Sequence, residues 1–441
     1  MKKKKIIIKG ILILVPIIAI TCTILILKKE KNVELVYLSN GRLYLYDKKR
    51  SKQLGRGDLT SIVFHSKDPG VFLYKIENDL YIHNKKEQKI IENAKKYYFT
   101  NEKIIVIDIN NKLFIYDKEL KEIEEKIDDI VAVTDNDVLY TKDTLLISYD
   151  VKNNKKRTIA SNVFGAYTTQ DKKNVLFFKK QKLIKYNIKN KKEQELVNNI
   201  TIYYCDDSCI HMFYLDRDDK LYYYDGKITK EIDKNVSIII KYDFKNDYII
   251  YSKKANDMFI YLPKKNKVKE LKNISSPREV IGLNNKLYYH TFQGKLYEIN
   301  IETLMSRKLS DDIYDNIQIM QNRLLYHKYE KDKSNLYLGD KKIADDVVSS
   351  FTRIDAKNNL IYYIKKEDNK NILYRYRNGK EELIDKNIYK YYLLDNKEVY
   401  YIKDYKQTKA YGNLYKYSKE PKKIIEQVND VIRFESVIEN K

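Results

Sequence analysis

The sequence predicts an all-β protein, built from about eleven copies of one four-stranded unit that follow a single apolar helix. Three observations lead to this prediction. A phrase made of an apolar run, a polar turn and Leu-Tyr-x-Tyr-Asp returns about every 37 residues. The composition favours strands, with 42 Tyr against 12 Gly and 5 Pro, because flat and branched side chains fit a pleated surface. The amino-terminal segment carries a long run without charge.

That apolar run is predicted to cross a membrane. The stretch from Gly10 to Leu27 carries no charge, and about 20 apolar residues span the hydrocarbon layer as a helix. Lys9 can extend to the interface, and Pro16 is tolerated in a membrane helix. No small-residue cleavage site follows the run, so we expect an uncleaved anchor over residues 6–28 rather than a cleaved signal.

The flanking charges give the anchor a direction. The lysines that precede it outnumber those that follow, which favours a cytoplasmic basic tail at residues 1–5. Everything from residue 30 onward is then expected outside the cytoplasm, and the opposite orientation is the alternative. A lipid-modified Cys22 is a further alternative, but Thr21 stands where the lipoprotein signal needs a small residue. The sequence therefore predicts a single-pass protein of the cell membrane.

The net charge of +23 attracts polyanions. Nucleic acid is one such partner, but its binding surface is usually a cluster of Lys and Arg on one face. Here the lysines are scattered over many turns. We therefore expect no nucleic-acid partner.

The repeated phrase is centred on a Leu-Tyr step. The spacing ranges from 32 residues, Leu113 to Leu145, to 41 residues, Leu373 to Leu414. So regular a spacing is the signature of a repeat architecture. The eleven positions are Leu43, Leu80, Leu113, Leu145, Leu183, Leu221, Met258, Leu296, Leu336, Leu373 and Leu414.

Each copy reads as four short strands. The apolar run and the alternating Leu-Tyr-x-Tyr-Asp form a hairpin, a short third segment follows, and another precedes the next copy. A four-stranded unit repeated at about 40 residues is typical of a β-propeller blade. The leucine of each phrase should face the next blade, while the aromatic beside it packs its ring and finds a partner for its hydroxyl.

These units, with phrases such as "LYYYDGK" and "NDLYIHN", resemble TolB-like and related six-bladed propeller repeats. They resemble most closely the membrane-anchored propeller proteins of low-GC Gram-positive bacteria. The resemblance covers about residues 33 to 441 and implies architecture only, because such propellers host many activities. The chain lacks the Ser-Pro-Asp-Gly turn of the TolB pattern. Choline-binding wall repeats share the Tyr-rich phrase, but they use Trp and a shorter period.

Eleven blades exceed the four to eight of an ordinary ring. The body opens on the second strand of a blade and ends on a first strand, so the two ends can complete one blade. We predict two rings, residues 31–205 with about five blades and residues 206–441 with about six. One wide ring is the alternative.

The turn between the second and third strands of the unit is expected to lengthen toward the carboxyl end, from "SNG" in the first copy to "KDYKQTKAYGN" in the last. Long loops on one face are common binding sites, and Tyr with Lys suits an anionic polymer or a protein. The candidate contacts are Tyr329, Lys331, Lys333, Lys365, Lys366, Tyr405, Lys406, Lys409 and Tyr411.

Two cysteines stand four residues apart in "CDDSC". Outside the cytoplasm Cys205 and Cys209 can form a disulfide across a small loop. A zinc site with His211 lacks an evident fourth ligand, and free buried thiols are the third possibility. The nearby acids Asp216 to Asp219 lack the glycine and distant Glu of a calcium loop, so a solvated turn is expected there.

No catalytic motif is present. The histidines at positions 65, 83, 211, 290 and 327 are scattered, and there is no nucleophile elbow or phosphate loop. We therefore predict no catalytic residues, no metal and no cofactor. The expected function is a binding or scaffold module for a protein or an anionic envelope polymer. The alternative is an extracytoplasmic hydrolase or lyase in the propeller channel, which a channel of Ile, Val and Tyr would disfavour.

Overall fold

A computed structural model describes residues 35–46, 50–65, 67–68, 70–84, 86–253, 257–271, 277–303, 305–395 and 398–432. The predicted tail, residues 1–5, and the predicted anchor, residues 6–28, lie outside this set. Within the set, no helix has the length and apolar character that a membrane crossing requires.

The described residues form eleven antiparallel sheets of four strands. They are arranged as the blades of a β-propeller, so the predicted fold class is confirmed. We number the blades 1 to 11 along the chain. Ten of them use four consecutive strands, and blade 1 joins the first three strands to the last.

Blade 1 contains both ends of the described chain. It consists of β1 (Leu35–Ser39), β2 (Arg42–Tyr46), β3 (Ser51–Arg56) and β44 (Asp430–Ile432). Strand β44 pairs antiparallel with β1, and the Asn429 amide donates to the Leu38 carbonyl at 2.8 Å. The prediction that the two ends complete one blade is confirmed.

The other blades follow in order, four strands each. Blade 2 contains β4 (Val63–Phe64), β5 (Val71–Ile76), β6 (Asp79–Asn84) and β7 (Lys86–Ile91), and blade 3 contains β8 (Ala94–Phe99), β9 (Ile104–Asp108), β10 (Leu113–Asp117) and β11 (Glu119–Glu124). Blade 4 contains β12 (Asp129–Val133), β13 (Asp137–Lys142), β14 (Leu145–Asp150) and β15 (Lys155–Ala160), and blade 5 contains β16 (Val163–Thr168), β17 (Asn174–Lys179), β18 (Lys182–Asn187) and β19 (Lys192–Asn198). Blade 6 contains β20 (Ile200–Cys205), β21 (Met212–Asp216), β22 (Leu221–Tyr224) and β23 (Thr229–Asp233).

Blade 7 contains β24 (Ile238–Asp243), β25 (Tyr248–Ser252), β26 (Met258–Leu262) and β27 (Lys267–Glu270), and blade 8 contains β28 (Pro277–Leu283), β29 (Lys286–Thr291), β30 (Leu296–Asn300) and β31 (Ser306–Ser310). Blade 9 contains β32 (Gln318–Met320), β33 (Arg323–Glu330), β34 (Lys333–Leu338) and β35 (Lys341–Ala344), and blade 10 contains β36 (Arg353–Asp355), β37 (Leu360–Glu367), β38 (Lys370–Arg377) and β39 (Lys380–Lys386). Blade 11 contains β40 (Ile388–Asp395), β41 (Glu398–Lys406), β42 (Tyr411–Tyr417) and β43 (Pro421–Val428).

Four 3₁₀ turns lie between strands in the described residues. One of them, Ser349–Phe351, replaces part of the strand that the sequence suggested there, and β36 starts after it. The turns are Leu59–Ser61, Pro263–Lys265, Ser349–Phe351 and Gln407–Lys409.

The chain divides into two compact units. Among the described residues, unit 1 comprises residues 35–94, 407–411 and 427–432, and unit 2 comprises residues 95–406 and 412–426. The ring boundary proposed at residues 205–206 falls between β20 and β21, which are hydrogen-bonded neighbours in blade 6. The number of rings stays a prediction.

The leucines of the repeated phrase are buried as expected. Nine of them have no exposed surface. The exception is the copy in blade 4, where Asp143 and Thr144 form the turn and Leu146, not Leu145, takes the buried position. The prediction at Leu145 is therefore wrong by one residue. The nine are Leu43, Leu80, Leu113, Leu183, Leu221, Leu296, Leu336, Leu373 and Leu414.

In seven blades the tyrosine that follows this leucine stacks on a tyrosine of the neighbouring strand. Ring centroids of these pairs lie 5.0 to 6.1 Å apart. Cross-strand aromatic pairs of this kind stabilise a sheet. The pairs are Tyr37–Tyr44, Tyr74–Tyr81, Tyr214–Tyr222, Tyr289–Tyr297, Tyr326–Tyr337, Tyr363–Tyr374 and Tyr401–Tyr415.

A recurring contact, which we call the clamp, ties one blade to the next in unit 2. An acid near the end of a fourth strand accepts hydrogen bonds from a Tyr on the second strand of the next blade and from the Lys two residues after that Tyr. In the clamp between blades 3 and 4, Glu124 accepts from Lys142 at 2.7 Å and from Tyr140 at 3.1 Å. Lys156 adds a third bond at 2.8 Å.

Two further clamps repeat this geometry. Tyr251 and Lys253 of blade 7 each lie 2.7 Å from the Asp233 carboxylate of blade 6. Asp385 of blade 10 accepts from Tyr401 and Lys403 of blade 11 at 2.8 Å each. The clamp is therefore part of the scaffold, and it neutralises some of the lysines.

Candidate functional site

Each blade has two ends that differ in which turns they carry. In an antiparallel four-stranded meander, the turns after the first and third strands lie at one end, and the turn after the second strand lies at the other. We call these ends the first-turn face and the second-turn face. The sequence-predicted contacts belong to the second-turn face.

The long loops predicted there are not loops in blades 9 and 10. Strands β33 and β34 pair as far as Glu330↔Lys333, and β37 and β38 pair as far as Glu367↔Lys370. Only two residues remain in each turn. Lys331 and Asp332 have φ of 51° and 64°, the backbone of a type I′ turn. The expectation of long loops is wrong because the added residues continue the ladder.

The predicted contacts in blades 9 and 10 lie close to one another. Asp346 connects two of them, since Lys333 Nζ lies 3.3 Å from its carboxylate and the Lys366 amide donates to its carbonyl at 3.4 Å. Lys365 pairs with Glu381 at 2.6 Å. Lys331 is exposed at the turn.

The remaining predicted contacts have different surroundings. The Tyr329 hydroxyl donates to Asp315 at 2.6 Å. In blade 11 of unit 2, Tyr405 stacks on Tyr389 with centroids 3.6 Å apart, and Lys406 ends β41. In unit 1, Lys409 ends a 3₁₀ turn and Tyr411 begins β42. Their role in binding stays a prediction.

Two cavities lie on the opposite, first-turn face. One cavity of about 540 Å³ opens between blades 4 and 5, and we call it the lysine pocket. It is formed by the first and third turns of both blades. Its walls are Thr134, Asn136, Asp137, Asp150, Lys152, Asn153, Lys172, Lys173, Asn187, Ile188, Lys189 and Lys191.

Short polar side chains hold these turns in place. The Thr134 hydroxyl accepts the Asp137 amide at 2.9 Å, and the Asp150 carboxylate accepts the Lys152 and Asn153 amides at 3.0 and 2.8 Å. The bonds from Asn153 hold the pKa of Asp150 below its ordinary value. Such local bonds are why Asp, Asn and Thr favour turns.

The lysine pocket has carboxylates that are already hydrogen-bonded and lysines that are free to bind a ligand. Its two carboxylates serve the fold, because Asp150 caps a turn and buried Asp137 accepts the Ser148 hydroxyl at 3.0 Å. Lys191 lies 3.9 Å from Asp137. The other four lysines are exposed, and no carboxylate of the described residues pairs with them: Lys152, Lys172, Lys173 and Lys189. The pocket therefore presents a surplus of positive charge.

A second cavity of about 560 Å³ lies at the first turns of blades 5 to 7. Cys205 and Cys209 are joined by a disulfide with Cα atoms 4.9 Å apart, so we call this cavity the disulfide pocket. Within the loop, Asp206 Oδ2 lies 2.8 Å from His211 Nδ1. That the disulfide between Cys205 and Cys209 forms because this part of the chain lies outside the cytoplasm stays a prediction.

The other motifs singled out in the sequence are accounted for locally. Asp216 accepts the Asp218 and Lys220 amides at 2.9 and 3.0 Å. Asp218 and Asp219 are exposed in this hairpin turn, as expected, but Asp216 is buried. His327 is buried and bonds Ser334 and Thr352, and burial lowers the pKa of its ring to about 4. The described residues contain no group of three or more His, Cys, Asp or Glu side chains suited to a metal ion.

The first strands of blades 5 to 7 expose apolar side chains. Phe164, Tyr167, Ile202 and Ile238 are between 41% and 65% exposed. In a propeller these strands lie nearest the axis. Lys241 is also exposed on the first strand of blade 7, and the channel hydrolase considered from the sequence stays a prediction.

Sequence reasoning missed the lysine pocket. Its signal was present in three neighbouring turns, "DVKNNKK", "DKKN" and "NIKNKK", which all lie on the first-turn face of adjacent repeats. These turns are short, and the prediction of a binding face rested on loop length. It therefore favoured the second-turn face over the turns with the most lysines.

No protein-family model matches the chain, and no curated protein matches it. Solved structures similar to it include dipeptidyl peptidase 4 of Porphyromonas gingivalis, with 12% identity, a TM-score of 0.37, and coverage of 83% of this chain and 59% of that one. PorZ, a surface component of the type-IX secretion system of P. gingivalis, has 11% identity, a TM-score of 0.25, and coverage of 80% and 57%.

A third similar structure is the extracellular domain of a putative one-component system from B. thetaiotaomicron. It has 10% identity, a TM-score of 0.26, and coverage of 92% of this chain and 77% of that one. The match spans less than two thirds of the length of PorZ and of the peptidase. Likenesses at this level of identity and TM-score carry no functional inference.

Proposed function

We propose that the chain is an extracytoplasmic β-propeller, held at the membrane by residues 6–28, that binds an anionic cell-envelope polymer in the lysine pocket. One observation carries the proposal. Four exposed lysines without a partner among the described residues surround a cavity whose two carboxylates are occupied by the fold.

Lysine suits such a ligand because it is a flexible point charge with three donors. An ammonium group within a concave site acts in a lower dielectric than one on an open surface, so its attraction to phosphate or carboxylate is stronger. A cavity of about 540 Å³ has the size of a small-ligand site. It can hold a short stretch of polymer.

The lining favours a polymer without bases. Single-stranded nucleic acid is bound by stacking its bases on aromatic rings, and none of the residues that line this pocket is aromatic. Phosphate or carboxylate groups on a saccharide or polyol backbone need only cations and polar groups. The resemblance to membrane-anchored TolB-like propellers is consistent with an envelope location.

Binding by the full chain in detergent micelles tests the proposal. Inorganic polyphosphate is the probe, with neutral dextran and single-stranded DNA of equal charge as comparisons. The pocket variant replaces four lysines by glutamine: Lys152→Gln, Lys172→Gln, Lys173→Gln and Lys189→Gln. We expect polyphosphate binding to weaken about tenfold or more, and the salt dependence to become shallower.

A charge-matched control distinguishes the two faces. The control variant carries Lys331→Gln, Lys366→Gln, Lys406→Gln and Lys409→Gln, which are all residues of the sequence-predicted surface. We expect it to bind polyphosphate within about twofold of the wild type. Equal loss in both variants, or tighter binding of DNA than of polyphosphate, would overturn the proposal.

A further inference from the structure

We infer that the disulfide pocket is a saccharide site, which holds a sugar ring of the same polymer. The inference deepens the proposed function and rests on it for the charged part of the ligand. Sugar recognition combines an aromatic surface for the apolar C–H face of the ring with fixed donors and acceptors for its hydroxyls. The disulfide pocket contains both.

The aromatic part consists of two half-buried rings of blade 7, Tyr242 and Phe244, which line the cavity. Each ring is supported from blade 6. Tyr204 packs on Tyr242 with centroids 4.9 Å apart, and Phe213 packs on Phe244 at 5.1 Å. Rings held by neighbours keep their orientation, so little conformational entropy is lost when a ligand packs on them.

The polar part is built around His211. Burial raises the pKa of Asp206, but the hydrogen bonds that its carboxylate accepts from His211, Ile210 and Ser208 outweigh burial and hold it below its ordinary value. An ionised Asp206 requires His211 Nδ1 to donate, so a neutral ring presents the lone pair of Nε2. That nitrogen is an acceptor for a hydroxyl.

Further polar groups surround this acceptor. The carboxylate of Asp207 and the amide of Gln170 are exposed on the walls of the cavity, with the ammonium groups of Lys241 and Lys245. Hydroxyls both donate and accept, and this set offers both kinds of partner.

The disulfide fixes the loop that carries these groups. The bond between Cys205 and Cys209 closes around Asp206, and Cys209 is buried at a positive φ of 50°. Lys185 Nζ donates to the Cys209 carbonyl at 3.3 Å. A loop constrained in this way is preorganised for binding.

The disulfide pocket and the lysine pocket are neighbours. The first turn of blade 5 places Gln170 in one pocket and Lys172 in the other, and two residues span at most about 7 Å. The Asp171 amide of this turn donates to the Asp207 carbonyl at 3.0 Å. A glycopolymer can therefore place a sugar in one pocket and an anionic group in the next.

Calorimetry with the full chain and neutral oligosaccharides tests the inference. The probes are maltohexaose, cellohexaose and the hexamer of N-acetylglucosamine, none of which carries charge. We expect at least one to bind, and Tyr242→Ala and His211→Ala each to weaken that binding about tenfold. Tyr242→Phe keeps the ring and should bind like the wild type.

Two further variants separate this inference from the proposed function. The fourfold lysine variant should keep neutral-sugar binding while it loses polyphosphate. The double variant Cys205→Ser/Cys209→Ser should keep polyphosphate and weaken the sugar. If none of the three probes binds a wild-type protein that still binds polyphosphate, the saccharide site is wrong. If an oligosaccharide binds but Tyr242→Ala and His211→Ala leave its affinity unchanged, the site is also wrong.

Discussion

Lysine serves two different purposes at two successive blade junctions of unit 2. Between blades 3 and 4, Lys142 and Lys156 donate to the half-buried carboxylate of Glu124. Between blades 4 and 5, Lys172 and Lys173 stand exposed at the lysine pocket. The first pair holds blades together, and the second pair presents charge to a ligand.

The difference shows how to read a net charge of +23. Total charge measures attraction to polyanions in general, but a lysine paired with a clamp acid adds nothing to a binding site. The clamp recurs at Asp233 and Asp385, as expected of a scaffold element, whereas the corresponding cavity between blades 9 and 10 lacks the lysines of the lysine pocket.

The corresponding cavity between blades 9 and 10 makes this clear. It occupies the same position on the first-turn face but measures about 240 Å³. Its cationic lining is limited to Arg323 and Lys341, and Met320, Leu338 and Tyr376 supply apolar surface. Charge at this position therefore belongs to particular blades and is not a property of the repeat.

The largest expected effect is on the clamp. Glu124→Gln removes the charge that Lys142 and Lys156 share, so the free energy of unfolding should fall by about 2 kcal/mol. Polyphosphate binding at the neighbouring pocket should stay unchanged. Chemical denaturation of the full chain measures the first quantity. A variant with full stability would show that the clamp does not hold the blades.

The same clamp should respond to pH. Burial raises the pKa of the Glu124 carboxyl, but the hydrogen bonds from Lys142, Lys156 and Tyr140 outweigh burial and set it to about 2. A folded-state pKa below the ordinary 4.5 stabilises the protein above that value, and the contribution disappears as the pH falls through about 2. The difference in unfolding free energy between wild type and Glu124→Gln should shrink over that range. A constant difference would contradict this assignment.

A smaller effect is expected from two tyrosines of one strand, β25. The Tyr251 hydroxyl donates to Asp233 at 2.7 Å, whereas the buried Tyr248 hydroxyl has no hydrogen-bond partner among the described residues. Tyr251→Phe should cost about 1 kcal/mol, and Tyr248→Phe should cost nothing or stabilise slightly. Thermal unfolding of both variants provides the comparison. Equal losses of unfolding free energy would show that the hydrogen bond from Tyr251 to Asp233 does not stabilise the fold.

The smallest effect tests whether charge alone defines the lysine pocket. Gln321→Lys and Asn359→Lys add two cations to the cavity between blades 9 and 10. Both positions have a positive φ, but lysine already occurs at such angles at Lys172 and Lys191. Polyphosphate binding should strengthen about twofold to threefold. No gain would mean that cavity size, and not charge alone, limits binding there.

Much of the fold could be predicted because each repeat carries its own pattern. Alternation of apolar and polar residues marks the strands. Because the chain has only 12 Gly, the turns are marked mainly by Asn, Asp and Lys, as at Asn40, Asn78 and Asp143. The ends of the body indicated how blade 1 is completed. These are local signals, and they failed by one residue at Leu145, where two leucines compete for one position.

The sites could not be predicted as readily because they form between repeats. The lysine pocket combines turns of blades 4 and 5 that lie as much as 57 residues apart, Thr134 to Lys191. The second-turn face was favoured because strand extensions such as "HKYEKDK" look like loops when the unit length is taken as fixed.

Lysine acetylation with mass-spectrometric readout, with and without polyphosphate, tests the central claim most directly. We predict that polyphosphate protects Lys152, Lys172, Lys173 and Lys189 from acetylation and leaves Lys331 and Lys366 as reactive as before. Equal protection on both faces, or protection of Lys331 and Lys366 alone, would contradict the assignment of the binding site to the lysine pocket.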